Sequence, residues 1–428
     1  MTDIPASSRL AGAPRSESAV SDIRSGLSRR KSAQTRLKIY GIVAIVFALT
    51  MLGILVGSVV STSIPAWTQT QVRLDVTVPD DETPNYRSLV NDSLVAAFPQ
   101  AERDRAALRR FTGILSNGAQ FWLRDELQAS GAAPGSTVSI WLPVSDPFEQ
   151  LYEGVISPST PENRRPLNDQ QIADFQSLQQ QDRIRSVFDW GLITNADSRF
   201  PELAGLKGGL IGSAFLMLVC LCVSVPVGVG AAVYLEEFAP KNKFTDFIEI
   251  NVNNLAAVPS IVFGLLGLAL FLGFLGMPRS APLVGGLVLA IMTLPTIIIT
   301  TRAALKAVPP SIREAARGIG ASEMQVIAQH VLPLALPGIL TGVIIGLAQA
   351  IGETAPLLLI GMNAFVTSAP TSMLEASTTL PTQIYIWFDS PERGFVARTS
   401  AAICVLLIVL SVMNLFAIVL RRRFERRW

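Results

Sequence analysis

The chain has 428 residues, of which 50% are apolar and only 16% are charged, well below the roughly 25% charged residues of a soluble domain. Its 35 Lys and Arg nearly balance its 33 Asp and Glu, giving a net charge of +2, so no attraction to nucleic acid is expected. One histidine and three cysteines are too few for a zinc or copper site or for a disulfide-stapled domain. The composition predicts a membrane protein without a bound metal.

Charge-free windows long enough to cross a bilayer locate the predicted spans, because about 20 apolar residues at 1.5 Å each traverse the hydrocarbon core. Six windows meet this requirement: 39–60, 208–235, 250–277, 280–301, 334–360 and 399–420. Among them only the fifth contains a formal charge, Glu353. The predicted fold class is an all-α polytopic membrane protein with six transmembrane helices and an inserted small α+β extracytoplasmic domain.

Basic residues in the flanks predict the orientation. Residues 1–38 carry eight Arg and Lys against three acids, and residues 421–428 carry five Arg and one Glu. The loop 302–330 is basic near its start, so we expect this loop and both termini to be cytoplasmic. The loop 236–249 does not fit this pattern, because it would be cytoplasmic but has two lysines and four acidic residues.

Between the first two spans, residues 61–207 have a soluble composition, and we call them the inserted segment. From residue 62 to 207 there are 13 basic and 19 acidic residues, a net charge of −6. Alternation and periodicity predict strands at 72–78, 137–144 and 185–193 and helices at 85–98, 101–127 and 168–185. Nothing here has the spacing of a nucleophile, metal or phosphate site. The acidic surface indicates either simple solubility or a docking site for another subunit, and residues 61–207 are predicted to lie outside the cell.

The loop after the fourth span contains two helix-start signals. Pro309 and Pro310 precede Ser311, and Glu314 follows Ser311 at the spacing of a capping box. Gly318 and Gly320 predict the end of this short helix. Ser322 and Gln325 repeat the capping-box spacing, and Pro333 and Pro337 mark the start of the next span. The loop is therefore predicted to form a hairpin of two short helices, either merely structural or suited to docking a partner.

The stretch EAARGIG followed by HVLP resembles the cytoplasmic loop of permease subunits in bacterial ATP-binding-cassette importers. The matching residues are Glu314, Ala315, Ala316, Gly320, Leu332 and Pro333. This resemblance implies that the 311–333 loop, starting at Ser311, fits a groove on an ATPase subunit. His330 differs from that family, whose members usually have an aliphatic residue at this position. The chain has no G-x-x-x-x-G-K-[ST] phosphate cradle, so it is expected to bind no cofactor and not to be an enzyme, with ATP and Mg on the partner ATPase.

A narrower resemblance rests on four motifs over residues 208–428, namely YLEEFAPKN, NNLAAVPSIVFGLLGLALF, LPTIIITTRAAL and AQAIGETAPLLL. Together they are similar to the A-type permease subunit of phosphate-specific importers. Gln349 stands where many members of that family have an arginine. The resemblance implies a bacterial inner-membrane protein that forms a path for inorganic phosphate. The implied partners are a second permease subunit, ATPase subunits, an extracytoplasmic phosphate-binding protein and membrane lipid, with no nucleic acid.

These considerations divide the chain into four predicted parts: a cytoplasmic basic tail (1–38), a first transmembrane anchor (39–60), the inserted segment (61–207) and a permease domain (208–428) with five transmembrane helices and a coupling loop at 302–333.

Few side chains could handle an anion inside the membrane, where phosphate needs fixed donors and a compensating cation. Arg302 follows Thr300 and Thr301 at the inner end of the fourth span, and serves either as a positive-inside anchor or as a path or gate residue. Glu353 has the wrong sign to hold phosphate, so it either pairs with an arginine or fixes the backbone at a break in the helix. The third span has a polar start at Asn253 and Asn254, followed by Pro259. This indicates either a discontinuous helix beside a cavity or only a proline of the kind common in membrane helices.

Three other functions fit parts of the sequence. The coupling loop would be the same in an ABC permease for another small solute. A membrane-anchored sensor with an extracytoplasmic receptor domain would need a cytoplasmic output domain, which a loop of about thirty residues does not provide. A secondary transporter would need inverted repeats and its own ion relay, whereas only one carboxylate lies within the predicted spans.

Overall fold

The computed structural model describes residues 17–79, 84–98 and 105–424. The start of the basic tail, the first four residues of the helix predicted at 101–127 and residues 425–428 lie outside the described residues. The chain divides into two compact units, Met1–Ser58 and Val59–Trp428.

The first unit consists, in its described part, of helix α1, which spans Glu17–Ser63 and continues five residues into the second unit. The first predicted span, 39–60, lies inside this helix. All side chains from 31 to 58 are exposed, including the large apolar side chains of Ile39, Phe47 and Leu55. A continuous apolar helix whose side chains are exposed from 31 to 58 is suited to lipid.

The inserted segment forms a small sheet covered by helices. Its elements are β1 (Thr68–Thr77), α2 (Tyr86–Ala97), α3 (Arg105–Ile114), α4 (Ala119–Ser130), β2 (Thr137–Pro143), α5 (Asp146–Tyr152), α6 (Asp169–Gln180), β3 (Ile184–Phe188) and α7 (Gly191–Thr194). The strand order is β2-β1-β3, with both pairings antiparallel. Leu74, Leu142, Phe148 and Phe175 are fully buried between the sheet and the helices, because alternate residues of each strand face the same side.

The single helix predicted at 101–127 is wrong, since α3 ends at Ile114 and α4 begins at Ala119. Leu115 forms an isolated bridge with Val144, and the Ser116 N–H donates to the Pro143 carbonyl oxygen at 3.0 Å. Pairing with the sheet therefore takes the backbone groups that a continuous helix would have used.

The remaining helices form the membrane part of the second unit. They are α8 (Lys207–Val233), α9 (Lys243–Leu255), α10 (Ser260–Gly267), α11 (Pro282–Lys306), α12 (Pro310–Gly318), α13 (Glu323–Gln325), α14 (Leu332–Gly352), α15 (Ala355–Leu359), α16 (Leu380–Phe388) and α17 (Gly394–Phe424). Wide π-helical turns follow α8 (Tyr234–Phe238), α10 (Leu268–Phe274) and α13 (Val326–Val331). Over the described residues, five helices are long and apolar enough to cross a membrane, or six if one bent pair counts as a span.

Helix α11 lies at the centre and packs against α8 and α14. Glycines allow these close approaches, because a Cβ at Gly286 would lie 2.5 Å from Val219 Cβ and one at Gly228 would lie 2.8 Å from Ile297 Cγ2. Val219 and Gly228 on α8 meet Gly286 and Ile297 on α11 in the same order along the chain, so α8 and α11 run parallel. Small residues at such crossings are typical of packed membrane helices.

Two predicted spans are interrupted. The third, 250–277, is bent by 102° between α9 and Ser260–Phe274, because Pro259 has no N–H to donate and disfavours a helical residue before it. The fifth, 334–360, stops at Gly352, where Glu353 is extended with ψ 120°. A short helix, α15, then starts with Pro356 in its first turn.

A buried arginine joins the inserted segment to the last helix. Arg398, near the start of α17, is 3% exposed, and its Nη2 lies 2.7 Å from Asp189 Oδ2. Its Nη1 also donates to the Ala204 carbonyl oxygen at 2.9 Å. Nearby, Trp387 Nε1 donates to Asp197 Oδ1 at 2.9 Å. These contacts hold the base of the inserted segment against α16 and α17.

Candidate functional site

The loop between α11 and α14 presents the short helix α12. This helix begins at Pro310, and its N-cap is Pro309 without a side-chain cap, two residues before the predicted cap at Ser311. The predicted Ser311–Glu314 capping box is therefore wrong, because Ser311 already lies in the first helical turn. Both side chains are exposed.

The second predicted cap is confirmed. Gln325 N–H donates to Ser322 Oγ at 3.4 Å, and Ser322 N–H donates to Gln325 Oε1 at 2.9 Å. This helix, however, continues through the π-helical turn into α14 as one stretch, Glu323–Gly352. The prediction of two separate short helices is thus wrong for the second. Pro333 and Pro337 lie within the continuous helix, and Pro333 follows the π-helical turn Val326–Val331 almost directly, where its missing N–H removes one backbone hydrogen bond.

The turn between the two helices carries exposed apolar side chains. Ile319, in the turn, is 83% exposed, and Met324, in the following helix α13, is 63% exposed. Gly320 has φ +89°, a conformation that side-chain-bearing residues rarely adopt. Ala315 is exposed, whereas Ala316 is buried against the loop's own core. A rigid turn with apolar side chains facing outward is a surface on which another protein can pack.

The base of this loop contains an open cavity of about 730 Å³ between α12 and the start of α14. Pro333 and His330 line it, and Leu332 is half-buried beside them. His330 lies in the π-helical turn with its Nδ1 3.5 Å from the Gln325 carbonyl oxygen. His330 stands where the resembling permeases usually have an aliphatic residue, and it thus places a polar ring at the edge of this cavity.

Arg302 is held by two carboxylates. Its Nε lies 3.2 Å from Glu236 Oε2 and its Nη2 lies 2.9 Å from Glu249 Oε2. Lys306 Nζ is 3.6 Å from the same oxygen of Glu236. Since these carboxylates accept hydrogen bonds from N–H groups at the edge of the guanidinium plane, Arg302 links α11 to the end of α8 and to α9 in this conformation.

The two threonines before Arg302 have different surroundings. Thr300 Oγ1 donates to the Thr296 carbonyl oxygen at 2.7 Å, and α14 passes so close that a Cβ at Gly342 would overlap Thr300. Thr301 is fully buried, and its Oγ1 has no hydrogen-bond partner among the described residues. A buried hydroxyl without a partner is uncommon in proteins.

Glu353 lies at the break between α14 and α15 and is half-buried. Within the described part of the chain, no cation lies within ion-pair distance of it. Gln349 is exposed one helical turn earlier, so both side chains share one face of α14.

The predicted site residues do not form one cluster. Gly338 faces Ala304 and Gly342 faces Thr300, so α14 runs antiparallel to α11 and carries Glu353 away from Arg302. The eleven residues from Gly342 to Glu353 correspond to roughly 16 Å along the helix. Asn253 and Asn254 lie at the end of α9 just before the bend, with exposed side chains.

The sequence analysis missed Glu236, Glu237 and Glu249 as partners of arginines. Arg313, on α12, has its Nη2 2.8 Å from Glu237 Oε1. The sequence signal for these ion pairs was the acidic excess of the loop 236–249, which disagreed with the positive-inside pattern. The structure explains this excess, because the three glutamates neutralise Arg302 and Arg313.

A second group of carboxyls is buried in the inserted segment beside Arg398. Glu149 is 8% exposed, and its Oε1 accepts a hydrogen bond from Thr70 N–H at 3.1 Å. Burial raises the pKa of Glu149 to about 8, partly offset by the charge of Arg398. Burial likewise raises the pKa of Glu153 to about 7. Both groups line a cavity of about 490 Å³ that α17 closes on one side.

Comparison with known proteins agrees with the membrane part of this architecture. The family described as binding-protein-dependent transport system inner membrane component matches residues 224–428. A domain of unknown function, DUF3333, matches residues 24–162. The probable ABC transporter permease protein YqgI of Bacillus subtilis is 30% identical over 54% of this chain and 83% of its own length.

Two phosphate transport system permease proteins named PstA are also similar. The protein of Mycobacterium leprae is 35% identical over 56% of this chain and 78% of its own length. That of Haemophilus influenzae is 31% identical over 53% and 78%, respectively. Among solved structures, a chain of the inward-facing MetNI methionine ABC transporter is 20% identical, with a TM-score of 0.41 over 52% of this chain and 96% of that one. On the sequence matches, the chain belongs to the family of binding-protein-dependent transport system inner membrane components, as an ABC importer permease similar to PstA.

Proposed function

We propose that this permease subunit forms a translocation path for inorganic phosphate together with a second permease subunit. Separate ATPase subunits, which hold ATP and Mg, would supply the energy through the 311–333 loop. An extracytoplasmic phosphate-binding protein would deliver the anion. The chain itself then hydrolyses nothing, in keeping with the lack of a phosphate-cradle motif in its sequence.

The observation that carries the energy-coupling part is the protruding helix α12 with its exposed apolar turn. Ile319 and Met324 expose large apolar surfaces, while Ser322 caps the following helix. Burial of such side chains in a partner's groove is favourable by about 25 cal/mol per Å² of apolar surface removed from water. A capped, rigid turn also loses little conformational entropy on docking.

The cargo is proposed from the relatives named for phosphate transport, which match about half of this chain. Candidate path residues are Arg302, Thr300, Thr301, Asn253, Asn254 and Glu353. Thr301 supports this proposal because its buried hydroxyl lacks a partner among the described residues. Arg302 already gives two of its N–H donors to Glu236 and Glu249, so it fits a gate at the inner end better than a permanent binding site.

We further propose that both termini and the 302–333 loop are cytoplasmic and that the inserted segment lies on the extracytoplasmic, periplasmic side of the membrane. Single cysteines at exposed positions test this orientation, with Cys222 replaced by Ser because it is exposed. Ser159→Cys should react with an impermeant maleimide from outside, and Met324→Cys only after the membrane is opened. Reaction of Ser159→Cys exclusively from the cytoplasmic side would refute the topology.

Co-purification from native membranes tests the assembly. A tagged chain should retain an ATPase and a second permease subunit, and Ile319→Asp should release the ATPase because it places a charge in the apolar contact. Phe121→Asp is the matched control, since Phe121 is also exposed but lies in the inserted segment. Equal ATPase recovery with Ile319→Asp and Phe121→Asp would contradict docking at this turn.

A further inference from the structure

Two adjacent glutamates end the second membrane helix and pair with arginines on different elements. Glu236 and Glu237 lie in the π-helical turn Tyr234–Phe238 after α8. Glu236 pairs with Arg302 of α11, and Glu237 pairs with Arg313 of α12. A π-helical turn widens the helix by one residue and is often found at functional positions. Here it presents two neighbouring carboxylates to two separate helices.

The Glu237 contact fastens the coupling helix to the membrane part. Arg313 Nη2 lies 2.8 Å from Glu237 Oε1, with the two side chains 16% and 10% exposed. The same guanidinium donates to the carbonyl oxygens of Val308 and Leu305, at 2.7 and 3.0 Å. Leu305 lies at the end of α11 and Val308 in the turn that follows it, so one arginine joins the end of α8, α11 and α12.

The Glu236 contact continues towards the bent helix pair. Arg302 bridges Glu236 and Glu249, and Glu249 lies on α9, the helix that leads to the bend at Pro259. A chain of contacts therefore runs from α12 through the two glutamates to α9. All of its members but Lys306 and Glu249 are largely buried, so water screens the central pairs little.

We propose that Glu236 and Glu237 are positioning residues that transmit movement of the coupling helix α12 to the bent pair of helices α9 and α10. This inference rests on the proposed function, because it assumes that an ATPase moves α12. Pulling on Arg313 displaces Glu237, and its neighbour Glu236 then alters the hold on Arg302 and Glu249. Rigid elements linked by buried charge pairs switch between discrete arrangements instead of deforming gradually.

The test uses the complete complex in proteoliposomes, with three readouts: phosphate taken up per ATP hydrolysed, complex yield and an ATP-driven distance change. For the distance, spin labels are attached at Gly318→Cys at the end of α12, where a Cβ has open space around it, and at the exposed position Phe247→Cys on α9, with Cys222 replaced by Ser. Glu237→Gln should lower the phosphate-to-ATP ratio about fivefold and abolish the distance change, at normal complex yield.

Asp174→Asn is the matched control, because Arg110 and Asp174 form a partly buried pair at 3.2 Å within the inserted segment. It should leave the ratio and the distance change as in the wild type. A double-mutant cycle adds Arg313→Gln alone and together with Glu237→Gln. If the pair itself transmits movement, the double variant should lose little more of the ratio than either single variant, whereas fully additive losses would contradict the relay.

An unchanged ratio and distance change in Glu237→Gln would overturn the relay, as would an equal loss in Asp174→Asn. Failure of the proposed function has a different signature. If the wild-type complex hydrolyses ATP without taking up phosphate, the cargo is wrong, while the distance change between α12 and α9 still decides whether Glu237 transmits movement.

Discussion

Gly264 packs directly on the backbone of Pro356, so the bend of one helix lies against the break of another. A Cβ at position 264 would come within 2.7 Å of Pro356 Cα. Gly264 lies in the first turns after Pro259, and Pro356 lies three residues after Glu353. The two discontinuities therefore form one structural feature, although they are almost one hundred residues apart in sequence.

This contact predicts that Gly264→Ala destabilises the protein and impairs transport. The added methyl group meets backbone, which cannot rotate away, so overpacking should cost about 1–3 kcal/mol. Gly230→Ala is the control, because nothing lies within 4 Å of a Cβ at that helical position. Thermal unfolding in detergent should show a lower midpoint for Gly264→Ala alone; equal midpoints would disprove the tight contact.

The coupling turn should fail when Gly320 is replaced. With φ +89°, Gly320→Val places a β-branched residue in the left-handed region and should distort the turn that carries Ile319. We expect reduced ATPase binding and phosphate uptake, with the chain still inserted in the membrane. Gly318→Ala, at a helical position with open space around it, should retain most of both activities. If Gly320→Val bound the ATPase as well as the wild type does, the turn would not be part of the docking surface.

Stability should fall as the pH rises from about 4.5 to about 8. Burial raises the pKa of Glu149 from 4.5 to about 8, so between these values the folded chain holds a proton that the unfolded chain has released. At low pH this proton therefore adds on the order of a few kcal/mol to the free energy of unfolding. The contribution is lost as the pH rises through the pKa of Glu149 in the folded chain. Burial also raises the pKa values of Asp146, Glu153 and Glu202. The positive charge of Arg398 lowers the pKa of each of these carboxyls and so opposes the shift.

Denaturation midpoints between pH 5 and pH 8.5 measure this dependence. Glu149→Gln keeps the shape and hydrogen-bonding capacity of the neutral carboxyl, so its midpoint should vary less with pH than that of the wild type. The same slope in both proteins would show that Glu149 does not titrate in this range.

Substitution of Arg302 distinguishes a path residue from a purely structural one. Arg302→Lys keeps the charge but loses the planar fork that suits both phosphate and paired carboxylates. If Arg302 contacts the anion, the phosphate concentration for half-maximal uptake should rise about tenfold. Lys306→Ala, which removes a more exposed partner of Glu236, should leave that concentration unchanged. A normal half-saturation with a lower ratio of phosphate to ATP would assign Arg302 to the ion-pair network alone.

Much of the membrane architecture could be predicted because lipid imposes a simple requirement on sequence. Spans 39–60, 208–235, 280–301 and 399–420 each lie largely within a long helix of the structure, since every backbone group in hydrocarbon must be paired within its helix. The second capping box was also predictable, because the Ser322–Gln325 interaction is local.

Interactions between distant residues could not be predicted in this way. The bend at Pro259 and the break at Glu353 each appear as a proline in an apolar window, which is common in straight membrane helices. The packing of Gly264 on Pro356, which accompanies the interrupted form, joins residues that no local pattern connects. Similarly, Glu237 and Arg313 are 76 residues apart, and no periodicity connects them.

The most direct test of the account is ATP-dependent uptake of radioactive phosphate by proteoliposomes that contain this chain with its second permease subunit, its ATPase and the extracytoplasmic binding protein. We predict uptake that requires ATP hydrolysis, is unaffected by excess sulfate and disappears when this chain is omitted. Robust ATP hydrolysis coupled to uptake of a different solute, with phosphate excluded, would contradict the proposed cargo.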